Sequence, residues 1–180
     1  MRIIAGRWRG RRLNPLKGRN IRPTTDRVRE AWMSALGGDL ADRAVLDLFA
    51  GSGALGLEAL SRGAVGVVFV ESARSSQKVL EANIHLLGAE ESCTVIHDDV
   101  FRYLRRLGQE ADAGLPFHVA LADPPYGTGD AQRLADAFRE RPFASQLWLE
   151  HPSREDVGTQ CVARSRRYGD TTLTTLVAEP

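Results

Sequence analysis

Four consecutive residues, Asp123-Pro124-Pro125-Tyr126, combine the groups needed for chemistry on an amine attached to an aromatic ring. They follow Phe117-His118-Val119-Ala120-Leu121-Ala122, an apolar run that reads as a buried strand. Neither proline has an N–H, and their fixed φ keeps the backbone extended, so carbonyls there can face a cleft. The Asp123 carboxylate and a neighbouring carbonyl form an acceptor pair for an exocyclic –NH2, and Tyr126 offers a flat face for the base that carries it. A blander reading is that Pro-Pro merely punctuates a strand end.

A second motif tips the balance. Val45-Leu46-Asp47-Leu48-Phe49-Ala50-Gly51-Ser52-Gly53-Ala54-Leu55-Gly56 reads as strand, glycine turn and helix start, and Gly51, Gly53 and Gly56 match the GxGxxG pattern of adenosine-binding folds. Glu71 and Ser72 end the next apolar run, Val67–Val70, where an acid can bind two ribose hydroxyls. Nicotinamide dinucleotides and S-adenosylmethionine both carry that ribose. Asp47 separates them, because a carboxylate near the turn favours an ammonium and a sulfonium and opposes a pyrophosphate. The expected cofactor is therefore S-adenosylmethionine, held by Asp47, Phe49, Ala50, Gly51, Ser52, Gly53, Glu71, Ser72, Asp99, Val100 and Asp123. Val95-Ile96-His97-Asp98-Asp99-Val100 reads as a third strand running into an acidic turn. Asp99, beside Val100, is assigned to the adenine amino group, and Asp98 to the cap of the following helix.

The formal net charge of +1 hides an asymmetry. Residues 1–29 hold ten basic residues and one acid, against 14 basic and 22 acidic residues in the other 151. Such a basic segment is a footprint for a polyphosphate partner. Ile3, Ile4, Trp8 and Leu13 interleave with its arginines and Gly6 and Gly10 offer turns, so an ordered hairpin is expected rather than a solvated tail. Its candidate nucleic-acid contacts are Arg2, Arg7, Trp8, Arg9, Arg11, Arg12, Arg22, Thr25 and Arg27. Trp8 has a packing role as an equal alternative. Arg102, Arg105 and Arg106 form one basic helix face that reads as solvated, with a second RNA contact as the alternative. Trp32 and Trp148 read as core.

Alternating apolar runs and helical patterns place these groups. Strands are expected near 44–48, 66–70, 93–96, 117–122 and 146–150, with helices near 54–62, 73–87, 100–108 and 129–139. A further helix, from about Arg27 to Leu36, is capped by Thr24-Thr25-Asp26, and Gln160–Arg167 with Thr171–Ala178 form a closing antiparallel hairpin. This is a Rossmann-like α/β fold, a doubly wound and mostly parallel sheet. Its ligands bind beyond the carboxyl ends of the strands, where Asp47, Glu71, Asp99 and Asp123 gather. Residues 1–38 are read as a basic arm and helix, and 39–180 as the catalytic domain. No apolar run approaches ~18 residues, so a cytosolic protein is expected. Cys93, Cys161 and the four histidines lack metal-site spacing, so no metal is assigned.

The chain resembles the RsmD-type 16S rRNA guanine-N2 methyltransferases, a class I S-adenosylmethionine-dependent family. The resemblance rests on the run Arg2 to Arg11, the stretch Arg22-Pro23-Thr24-Thr25-Asp26-Arg27-Val28-Arg29-Glu30, the run Asp47 to Arg62, and Asp123 to Tyr126. It implies methylation of the exocyclic N2 of a guanine in small-subunit rRNA, of the guanine-966 type, within a partly assembled 30S subunit, by a cytoplasmic monomer. Asp123, Pro124, Pro125 and Tyr126 are then the catalytic residues. Three rival readings stand beside it. A DNA adenine or cytosine amino-methyltransferase shares the Asp-Pro-Pro-Tyr logic but usually needs an added recognition domain. A nicotinamide oxidoreductase leaves Asp47, the Pro-Pro loop and the arm unused, and a non-catalytic RNA-binding module explains only the arm.

Overall fold

The computed structural model describes residues 1–16, 30, 32–33, 40–110 and 117–178. Among them are seven strands: β1 (Ala44–Leu48), β2 (Gly66–Glu71), β3 (Cys93–His97), β4 (Val119–Ala122), β5 (Gln146–Pro152), β6 (Val162–Tyr168) and β7 (Thr171–Val177). Four α-helices lie between the first five, α1 (Ala54–Ser61), α2 (Arg74–Leu87), α3 (Val100–Glu110) and α4 (Asp130–Glu140). The sheet order is β3-β2-β1-β4-β5-β7-β6. β1 to β5 pair in parallel, and β7 lies antiparallel between β5 and β6. The expected alternation and closing hairpin are both present.

The apolar runs of β1 and β4 are continuous because both faces of the sheet are covered, as a parallel sheet requires. On one face Val45, Phe69 and Leu121 pack with Leu57 of α1 and Leu80 of α2. On the other, Leu46, Val70 and Ala120 pack with Leu104 of α3 and Leu134 and Phe138 of α4. No helix among the described residues is long and apolar enough to cross a membrane.

The basic arm is folded over residues 1–16. Arg2 and Arg12 form an antiparallel bridge, and the Ile3 amide donates to the Arg11 carbonyl at 2.9 Å. Ile3 and Leu13 are buried in the same core cluster as Trp32, Met33 and Trp148, and Trp8 is half-buried against it. Arg2, Arg7, Arg9, Arg11 and Arg12 are all exposed. The expectations for Arg22, Thr25, Arg27 and the Thr24–Asp26 cap lie outside the described residues. Of the anticipated helix over 27–36, Glu30, Trp32 and Met33 are helical, and both Trp32 and Met33 are fully buried.

What holds the arm down is α1. The Glu58 carboxylate, wholly buried, accepts the Ile4 amide at 2.7 Å and the Ala5 amide at 3.0 Å, and pairs with Arg62 at 2.8 Å. Ser61 receives the Trp8 amide on its Oγ at 3.0 Å and donates to the Ala5 carbonyl at 2.6 Å. Gly6 turns here with φ +80°, and a Cβ on it would lie 1.7 Å from the Ser61 carbonyl oxygen. Only glycine allows this approach. The arm's tip therefore sits at the carboxyl end of α1, roughly 12 Å along the helix from its start.

Candidate active site

Strand register sets the heights of the candidate residues. Leu48 pairs with Val70 on one side and Ala122 on the other, and Glu71 pairs with His97. Phe49, Glu71 and Asp123 therefore leave the sheet at one level, on its carboxyl edge. β1 and β4 are neighbours, yet the chain moves outward from β1 through β2 to β3 and then returns to β4. This is the topological switch point, where the loops after two adjacent strands diverge and open a crevice. The Phe49–Gly53 turn forms one wall and the Asp123–Tyr126 loop the other.

Asp47 lies deeper than the sequence reading placed it. It pairs in register with Phe69 and Leu121, one residue inside β1, and is 2% exposed. Its Oδ2 accepts the Gly56 amide at 2.8 Å, which ties strand to helix beneath the turn. Burial raises its pKa well above the usual carboxylate range, the Gly56 hydrogen bond opposes this, and the charges of Asp123 and Glu71 add to it. Both other acids are thus electrostatic neighbours across the crevice. Because the folded protein holds this proton more tightly than the unfolded chain, the contribution to stability is full below the ordinary aspartate range. It is lost as pH rises through the elevated value. Asp47→Asn should therefore raise the melting temperature of the ligand-free protein at neutral pH and flatten its decline with pH above the aspartate range. Thermal melts between acid and neutral pH test this, and a mutant melting no higher than the parent would refute it.

The turn itself is strapped from three sides. The Ala50 amide donates to the Val70 carbonyl at 3.1 Å and the Gly51 amide to Glu71 Oε2 at 2.8 Å. Glu71 Oε1 accepts the Ala73 amide at 2.7 Å. Glu71 thus shapes the loop as well as facing the crevice, and the Gly51 amide is spent on it. From α2, Asn83 donates through Nδ2 to the Ser52 carbonyl at 2.9 Å and the Asn14 carbonyl at 3.1 Å, and accepts the Asn14 amide at 2.7 Å. One buried side chain therefore joins the arm to the glycine turn. Gly56 is needed for contact: a Cβ there would lie 2.4 Å from the Phe69 ring. Phe49 adopts φ +57°, a conformation that costs a non-glycine residue energy and is concentrated at functional sites.

At the third strand the cap of α3 falls to Asp99 and not, as expected, to Asp98. Asp99 caps α3, its Oδ1 accepting the Arg102 amide at 2.9 Å. Asp98 is buried, accepts the Asp99 amide at 2.8 Å, and pairs with Arg106 at 2.7 Å and Arg102 at 3.4 Å. Asp99 is exposed at the edge of the sheet beside the buried Val100, so its second oxygen is left for a ligand while the first holds the helix. Arg102 and Arg106 pair with Asp98 and stay exposed, as does Arg105, so the solvated face expected here is present.

In the Asp123–Tyr126 loop Asp123 is half-buried, Pro124 buried and Pro125 exposed. Thr128 Oγ1 donates to the Pro125 carbonyl at 2.9 Å, closing the loop ahead of α4. Tyr126 is 40% exposed, but its hydroxyl is fixed 2.7 Å from Thr171 Oγ1 and donates to Glu150 Oε1 at 3.4 Å. Burial, the largest cause, pushes the phenol up to about 12, so it stays protonated. The ring presents a face while its far end is held.

Sequence reasoning missed Asn83, Glu58, Ser61, Glu150 and Thr171. Asn83 and Glu58 carried a readable signal, since each interrupts an apolar helix stripe, and a polar group in such a stripe needs a partner. The partners of Glu150 and Thr171 depend on the β5–β7 pairing and had no local signal.

The family model described as "Conserved hypothetical protein 95" matches residues 1–177. Over 129 residues, 72% of this chain, the sequence is 41% identical to ribosomal RNA small subunit methyltransferase D of Escherichia coli K12. The matched segment spans 62% of that relative's length. The enzyme of the same name from Haemophilus influenzae is 39% identical over 127 residues, 70% of this chain and 64% of its own. A solved structure of a hypothetical protein from Thermus thermophilus superposes with a TM-score of 0.84 at 28% identity, covering 99% of each chain.

Proposed function

Because the chain belongs to the conserved hypothetical protein 95 family, we propose that it transfers the methyl group of S-adenosylmethionine to the exocyclic N2 of a guanine in small-subunit rRNA. The observation that carries the reading is positional. The Asp123–Tyr126 loop and the Phe49–Glu71 cofactor edge face one another across the switch point at one height. The relatives named as small-subunit rRNA methyltransferases support the substrate class. The exposed arginines of the folded arm support a polyanionic partner, taken here as 16S rRNA in a partly assembled 30S subunit.

The residues fit the donor. A carboxyl at Asp47 whose pKa is raised by burial gains from a cation that favours its ionised form, and a sulfonium with an ammonium provides one. Glu71 faces the ribose side, and Asp99 and Val100 the adenine side. S-adenosylmethionine supplies an electrophilic methyl on a positively charged sulfur.

The guanine N2 lone pair is delocalised into the ring, which makes the nitrogen a poor nucleophile. Asp123 and the Pro124 carbonyl accept its two N–H bonds, favour a pyramidal nitrogen and turn the lone pair toward the methyl carbon. The N–C bond forms as the C–S bond breaks. Methylation makes the nitrogen acidic, so Asp123 or water takes its proton. Positioned acceptors supply most of the rate, and no strong base is needed. Tyr126 holds the extruded base by stacking, worth ~1–3 kcal/mol.

Calorimetry with S-adenosylmethionine and NADH, followed by transfer of labelled methyl to 16S rRNA or DNA, tests this. Binding of S-adenosylmethionine alone and N2-methylguanosine in the RNA digest are expected. NADH binding, or N6-methyladenine in DNA, would favour the rival enzymes instead.

A further inference from the structure

β6 is the last strand of the sheet and leaves Ala163 to Arg167 exposed. Such an edge invites pairing with another chain, and charged side chains are a common way to prevent it. Here the charges also have a direction. Tyr168 pairs with Thr171, Arg166 with Leu173 and Arg164 with Thr175, so Arg164, Arg166 and Tyr168 share one face with those β7 residues. Leu173 belongs to the core cluster that includes Ile3 and Trp32, and Tyr168 packs against it. Ile3 and Leu13 of the N-terminal arm join the core cluster on that face.

β6 also runs parallel to β4, because β7 is antiparallel to both β5 and β6. Its Tyr168 end is therefore at the carboxyl edge, where Thr171 holds the Tyr126 hydroxyl. Among the described residues no carboxylate pairs with Arg164 or Arg166. Asp170, in the turn beyond Tyr168, is the nearest acid in sequence, and Glu155 and Asp156 lie around His151, whose Nε2 meets Thr174 on the other face. The strip is left as two arginines without an ion-pair partner among the described residues, their Cα atoms about 7 Å apart along the strand. That is close to the phosphate spacing of a polynucleotide strand, and arginine's planar fork matches phosphate oxygens.

We infer that the Arg164–Arg166–Tyr168 face of β6 is a phosphate-binding track for the RNA strand flanking the target base. This rests on the RNA reading above.

The test uses the double variant Arg164→Glu/Arg166→Glu on the full chain with a 16S rRNA transcript as probe. Affinity for the transcript at moderate salt should fall at least about tenfold, and the slope of log affinity against log salt should shrink by about two. Affinity for S-adenosylmethionine and the melting temperature should stay at parental values. Arg164→Lys/Arg166→Lys should recover most of the binding. If charge reversal disrupts folding, Arg164→Gln/Arg166→Gln should still reduce the slope. Unchanged RNA binding with new self-association would mean that the arginines only guard the edge, and would overturn the inference alone. A parent protein that ignores RNA altogether would overturn both the track and the proposed function.

Discussion

Asp123→Ala should lower methyl transfer on the order of 10³-fold while S-adenosylmethionine binds within a few-fold of the parent. The asymmetry follows from position. Asp123 is one residue past the end of β4, on the wall opposite the Gly51–Gly53 turn, so its loss removes an amine acceptor and leaves the straps of the cofactor turn intact. It also removes one of the charges that raise the Asp47 pKa, which eases ionisation beneath the cofactor. Asp123→Asn keeps the size and one acceptor oxygen and should fall between the two. Single-turnover transfer with labelled cofactor, beside calorimetry, separates the steps. Parental transfer rates in the alanine variant would remove the proposed mechanism.

The second large effect concerns stability. Glu58→Ala would leave the Ile4 and Ala5 amides and the Arg62 guanidinium without their shared acceptor in a fully buried place. Losing one partner of such a buried charged cluster costs about 3–5 kcal/mol. For a chain of this size that corresponds to a fall in melting temperature of about 10 °C. Glu58→Gln retains one acceptor and should lose less. Because Glu58 fixes the arm and its described partners all lie away from the crevice, RNA affinity should decline well before cofactor affinity does. An alanine variant that melts with the parent would show that the arm does not depend on this clamp.

The order and bounds of the elements were legible because apolar runs and helical stripes are local properties. The expected strand 44–48 is β1 as observed, and the helix expected near 73–87 is Arg74–Leu87. Depth was harder to read. Asp47 and Asp123 each appear in sequence as an acid at a strand end, yet pairing places one inside β1 and the other outside β4. The cap after β3 was assigned to the wrong acid for a local reason. The cap belongs to the residue directly before the first helical one, and α3 starts at Val100, so Asp99 takes that place. Contacts across long separations could not be read at all: Glu58 to Ile4, Asn83 to Asn14 and Tyr126 to Thr171 arise only when the sheet has assembled.

The place of β7 bears on how the molecule is made. It comes last among the strands in chain order but is inserted between β5 and β6, paired along both sides. A nascent polypeptide that has emerged only as far as Tyr168 already holds the glycine turn and the Asp-Pro-Pro-Tyr loop, but Thr171 is not yet there to secure the tyrosine ring. Synthesis must run through Thr171 before that anchor exists. The Tyr126 hydroxyl therefore lacks its Thr171 partner until translation has passed that residue, and a premature stop just upstream of β7 would yield a chain with both loops and no such anchor.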